Sequence, residues 1–81
     1  MRLDKFLKVS RIIKRRTVAN EAASLGRVMI NGKVAKPASD VNPGDTLDIL
    51  LGGKHVLVKV NDVKETVKKD DADSLYTILE G

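Results

Sequence analysis

Arg2, Lys5, Lys8, Arg11, Lys14, Arg15 and Arg16 place seven cations in the first sixteen residues, against one acid, Asp4. Such a set is suited to gripping a polyanion rather than to making or breaking bonds. Lysine brings a mobile point charge to a phosphate, and arginine a planar fork that holds two oxygens. Residues 1–36 carry ten Lys/Arg and two Asp/Glu, whereas residues 37–81 carry five and nine. The formal net charge of +4 therefore hides a basic pole and an acidic half. A basic pole on a small chain usually meets nucleic acid. A solvated charged face is the plainer reading and suits clusters balanced by acids. Seven cations against one acid repel one another in the folded state unless a partner relieves them.

Lys14-Arg15-Arg16 stands just ahead of an expected helix start, with Thr17 as its expected N-cap. Free backbone N–H groups, the positive end of the helix dipole and two guanidinium groups would face one space there, a sound place for a phosphate. Other candidate chemistry is thin. His55 is the single histidine and lies in a strand pattern beside Gly52-Gly53; a surface strand position suits it better than acid–base work, which needs a cleft and a partner. Asp70, Asp71 and Asp73 lack the glycine and distal glutamate of a calcium loop, so a solvated acidic loop is expected. No phosphate-loop signature follows Gly52-Gly53. There is no cysteine, which excludes disulfides and thiolate metal sites and fits a reduced, cytoplasmic setting. No enzyme, cofactor or metal is expected. Phe6 and Tyr76 are the only aromatics, too few for a base-stacking platform, so RNA recognition should run through phosphate and shape.

The elements that must position these residues follow from periodicity. Eighty-one residues make one domain, with 42% apolar and 32% charged residues as expected of a soluble globular chain. No apolar run reaches the length of a membrane span, and the basic N-terminus lacks the apolar stretch of a signal peptide. Leu3, Phe6 and Leu7 share one helical face, with Lys5 and Lys8 pointing away and Asp4 paired to Lys8 at i,i+4. The phase is lost at Ile12 and Ile13, so this helix should break between Val9 and Arg11. In a second helix Val18, Ala19, Ala22, Ala23 and Leu25 form an apolar face opposite Asn20, Glu21 and Ser24, and Gly26 stops it. The period then becomes two. Val28 and Ile30 predict a strand, Asn31-Gly32 a hairpin turn, and Lys33 to Lys36 the return, ended by Pro37. Pro43-Gly44-Asp45 predicts a turn, Thr46–Leu51 a strand, Gly52-Gly53 a reversal and His55–Val60 its partner. Residues 61–74 read as loop, and Tyr76–Leu79 as a last strand. Asn31-Gly32 itself speaks for a hairpin, though its tip could reach a ligand.

These residues carry a family resemblance. Arg2-Leu3-Asp4-Lys5-Phe6-Leu7, Ser10-Arg11, Lys14-Arg15-Arg16-Thr17, Gly26-Arg27-Val28, Ile30-Asn31-Gly32 with Val34, and Pro43-Gly44-Asp45 with Leu47 resemble the S-four-type RNA-binding domain of ribosomal proteins, pseudouridine synthases and tyrosyl-tRNA synthetases. That match spans about residues 1–50. The opening MRLDKFLKVSRIIKRRT and the ending Leu75-Tyr76-Thr77-Ile78-Leu79 extend it over nearly the whole chain, toward the stand-alone factors of bacterial ribosome-associated quality control. The short length, starting at Met and without a catalytic domain or the basic extension of the heat-shock relatives, favours that stand-alone branch.

The resemblance implies an α+β fold, with two packed helices against a small, curved, mainly antiparallel sheet, and an extra hairpin and C-terminal strand at 51–81. It implies a clamp without catalytic residues, bound to a stalled large ribosomal subunit through its rRNA and to the peptidyl-tRNA it carries. The clamp would work beside an RqcH/NEMF-family elongation factor during untemplated alanine tailing. Carried over by position, Arg2, Lys5, Arg11, Arg15, Arg16 and Thr17 are the expected RNA contacts, with Lys8, Lys14, Asn31 and Lys33 beside them. A general structured-RNA binding module, or an adaptor using the acidic half, stays open at this point.

Overall fold

The computed structural model describes all residues from Met1 to Gly81. Helix α1 spans Leu3–Val9 and helix α2 Arg16–Ser24; the strands are β1 Val28–Ile30, β2 Lys33–Val34, β3 Thr46–Leu51, β4 Lys54–Val60 and β5 Tyr76–Glu80. A 3-10 helix at Lys69–Leu75 precedes β5. The sheet order is β2-β1-β3-β4-β5, every neighbouring pair antiparallel. This is the expected α+β arrangement.

In α1, Leu3, Phe6 and Leu7 recur at three and four residues and are wholly buried. The helix ends where Ser10 turns back, its Oγ donating to the Leu7 carbonyl at 3.2 Å. Arg11 then takes φ +63, the left-handed conformation that glycine usually supplies. This turn resets the helical phase, which is why Ile13 is buried although it falls off the stripe of α1. Three alanines, Ala19, Ala22 and Ala23, bury the inner face of α2 and let it lie against α1. Gly26, at φ +75, closes α2: its N–H donates to Ala23 and that of Arg27 to Ala22, at 3.1 and 3.0 Å. This double bond pattern is a Schellman stop.

Asn31 at φ +51 and Gly32 at φ +81 form the two-residue turn between β1 and β2. Gly44 at φ +93, after Pro43, closes the turn before β3, with the Asp45 N–H donating to Asn42 at 3.1 Å. Register places Val28 beside Ile49, and Leu47 beside Val58, on the face that the helices cover. One hydrophobic cluster runs from Leu3 to Leu75. The helices thus lie on one face of the sheet, and the ends of α1 and α2 that carry the cations stay outside the core.

Several expectations fail for physical reasons. Thr17 is not the N-cap of α2; Arg15 is, in extended conformation and without a side-chain cap bond. Val18 and Leu25 are about half exposed, because the alanine face is narrow and Val18 stands about 90° from its centre at roughly 100° per residue. Asp4 does not pair with Lys8; it turns toward α2. Asn20 is not on an idle outer face, since it bonds to Asp4. The segment read as loop ends in the 3-10 helix, where Ala72 and Leu75 are buried. The return strand stops at Val34, although the Ala35 N–H still reaches Val28 at 2.9 Å.

Candidate nucleic-acid interface

Asp4 is the hinge of the basic face. It is 2% exposed, yet its carboxylate has a full set of donors. Oδ1 accepts from the Lys5 N–H at 2.8 Å, from Arg2 Nε at 3.2 Å and from Arg16 at 3.4 Å. Oδ2 accepts from a second Arg2 nitrogen and from the Asn20 amide, each at 3.2 Å. Burial pushes the carboxyl upward, but hydrogen bonds from Asn20 and Arg2 and the charges of Arg16 and Arg2 outweigh it. Its pKa lies below the usual carboxylate value.

The arginines stand out in the sequence, whereas Asp4 and Asn20, which hold them, do not. The signal was present. Asp4 is the lone acid among seven cations, and Asn20 follows Arg16 by four residues, on the same side of α2. The outcome is two guanidinium groups brought together from the start of α1 and the start of α2. Their side chains remain 52% and 47% exposed, so each is fixed at one edge and open at the other. Each fork has donors left for a phosphate, since Asp4 takes only part of its set.

The start of α2 adds to this. No side chain caps it, and no acid stands in its first turn. The N–H groups of Arg16, Thr17 and Val18 find no acceptor within the protein. Cations at the positive end of a helix are electrostatically unfavourable, and an anion there relieves them. Arg15 and Thr17 are exposed at this end.

Lys8, Arg11 and Lys14 converge elsewhere. With Val9, Glu65, Thr66 and Val67 they line an open cleft of about 330 Å³ between the end of α1 and the segment before the 3-10 helix. Lys5 is ion-paired with Glu65. Asn31 and Lys33 lie apart from both groups, on the β1–β2 hairpin. The Asn31 side chain donates to Asp45 at 3.0 Å and accepts from the Thr46 N–H at 2.9 Å, so it ties the hairpin tip to β3. His55 lies on the open face of the sheet, its Nδ1 2.8 Å from Asp48. No three His, Asp or Glu side chains converge as a metal cage would require, and no helix is long and apolar enough to cross a membrane.

Residues 1–47 match the S4 domain family. The chain is 61% identical over 79 residues to the RQC P-site tRNA stabilizing factor of Bacillus subtilis, covering 98% of this chain and 92% of that one. It is 53% identical to the protein of that name in Streptococcus pneumoniae, with 98% and 90% covered. The Helicobacter pylori protein of that name is 34% identical over 73 residues, with 86% and 87% covered. Among solved structures, Vibrio cholerae Heat Shock Protein 15, a trimer, superposes with a TM-score of 0.88 at 28% identity, over 96% of this chain and 80% of that one. The solution structure of the hypothetical protein HP1423 gives 0.82 at 26% identity, over 100% and 99%. The S4 match thus covers both helices and the hairpin that carry the basic groups, and the wider likeness runs on through β5. This chain belongs to the family of RQC P-site tRNA stabilizing factors, built on an S4 domain.

Proposed function

We propose that this chain is a non-enzymatic clamp that binds stalled large ribosomal subunits and stabilises peptidyl-tRNA during untemplated alanine tailing of the nascent chain. It acts in the cytoplasm as a single S4-type unit of residues 1–81. Its partners are the rRNA of the large subunit, the peptidyl-tRNA, and an RqcH/NEMF-family elongation factor on the same particle. Peptidyl transfer belongs to the subunit.

One observation carries this reading: the joining of Arg2 and Arg16 by buried Asp4, with both forks half open. A guanidinium held from behind by a carboxylate has a fixed direction, and presents its remaining donors as a pair suited to adjacent phosphates. Arg15, Thr17 and the uncapped start of α2 extend the same surface. Lys8, Arg11 and Lys14 offer a second cationic surface, as a clamp between two RNA segments requires. Identity over almost the whole length of the Bacillus subtilis relative supports placing this surface at the P-site tRNA.

The test is co-sedimentation with isolated large subunits, empty and carrying peptidyl-tRNA. Two RNA surfaces on one body make the second contact intramolecular once the first is made. The tRNA-bearing particle should therefore bind more tightly, and by linkage the protein should slow loss of that tRNA. Equal binding to both particles, with no effect on tRNA retention, would leave only a general RNA-binding module.

A further inference from the structure

The cleft at Lys8, Arg11 and Lys14 holds one acid, Glu65, and that acid is paired with Lys5 of α1. Lys8, Arg11 and Lys14 themselves make no ion pair. Arg11 stands in a left-handed conformation that glycine or asparagine would adopt with less strain. Strain kept at an arginine points to use of that residue, and Arg11 is one of those that line the cleft. The Glu65 side chain is largely exposed, but its backbone is anchored. Val63 and Val67, two residues to either side of it, pack against the hydrophobic core and hold the backbone over α1.

We propose that Glu65 is an acidic gate on a phosphate-binding cleft. In the free protein its carboxylate occupies Lys5 and stands in for a phosphate oxygen. An RNA backbone must displace it before seating along Lys8, Arg11 and Lys14. The proposal rests on the RNA-binding reading and deepens it by naming a residue that discriminates among RNAs. An exposed ion pair is weak, so the gate opens readily once RNA is held elsewhere on the protein. RNA that meets only this cleft faces like-charge repulsion from Glu65. An RNA already anchored at Arg2 and Arg16 overcomes it.

The test uses a fluorescently labelled RNA hairpin, with the full chain, over a series of salt concentrations. Glu65→Gln should tighten binding about 2- to 5-fold, the scale of one exposed ion pair. It should also steepen the log affinity against log salt slope by about one, because Lys5 then meets phosphate without giving up an acid. Asp71→Asn, an equal charge change on the 3-10 helix, controls for net charge and should alter affinity less than about 1.5-fold. In a Lys5→Met background Glu65→Gln should lose most of its effect. No tightening, equal tightening by Asp71→Asn, or a gain that persists without Lys5 would each overturn the gate. If the unaltered chain binds the hairpin with steep salt dependence while Glu65→Gln matches it, the gate alone fails. If the unaltered chain shows no salt-dependent binding, the RNA-binding reading fails with it.

Discussion

The Asn20 amide and the Asp4 carboxylate meet at 3.2 Å, joining α2 to α1 through a neutral donor and a buried anion. Asn20→Ala removes one donor of five and should cost about 1 kcal/mol of stability. Asn20→Asp should cost more at neutral pH, because two carboxylates then share one half-buried space. On acidification, where one of them takes a proton, the gap between the two variants should narrow. Urea unfolding at pH 7 and pH 3.5 reads this directly. An Asn20→Asp variant as stable as wild type at pH 7 would contradict the contact.

Asp4 also gives the fold a pH dependence. Its folded pKa lies below its unfolded value, so its contribution is fully present above the unfolded pKa of about 3.9 and fades as pH falls through the folded pKa. Asp40 shifts in the same direction, through a hydrogen bond from the Met1 amino group and another from Asn42. Melting temperature should fall on acidification below pH 4. In Asp4→Asn that fall should be shallower, from a lower starting point. Thermal melts of both proteins between pH 2.5 and 6 check the sign, and parallel curves would remove Asp4 from the account.

RNA binding should weaken steeply with salt. For roughly four to six neutralised phosphates the slope of log affinity against log salt is about −3 to −5. Within that binding, Arg16→Ala should lose on the order of 1–3 kcal/mol, and Arg16→Lys should also be impaired. Lys59 lies exposed on β4, opposite Thr46 and Thr77, and Lys59→Ala should lose little. Circular dichroism first establishes that each variant folds. Equal losses at positions 16 and 59 would mean that net charge alone acts.

Gly26→Ala should cost about 1 kcal/mol of stability and leave RNA affinity unchanged where the variant is folded. Space is not the obstacle, since a Cβ there would meet only Val34 at 3.8 Å. The obstacle is φ +75, which the α2 stop requires. Denaturation midpoints measure it, and an unchanged midpoint would mean that the turn relaxes without penalty.

Periodicity and turn chemistry made most of the fold legible. Leu3, Phe6 and Leu7 announce α1, and Asn31-Gly32 announces its hairpin, because each signal is local. What stayed hidden was the pairing between distant residues. Asp4 at i,i+4 from Lys8 invites a surface pair, but Arg16 and Asn20 of α2 donate to its carboxylate instead, and only packing decides between them. The Lys5–Glu65 pair spans sixty residues and leaves no trace in either local pattern. The 3-10 helix is likewise carried by two buried residues, Ala72 and Leu75, within a run otherwise too polar to suggest burial.

The backbone around Arg2 is held from several sides. Arg2 forms an isolated backbone β-bridge with Asp40, while the Leu3 and Asp4 N–H groups donate to the Ser39 and Pro37 carbonyls, at 2.8 and 3.2 Å. A basic arm at the start of a chain ordinarily behaves as a floppy tether, and an RNA that captures it must freeze it. Here that ordering has already taken place during folding. An RNA seated at Arg2 would therefore cost little chain entropy there and would need no folding step at the N-terminus.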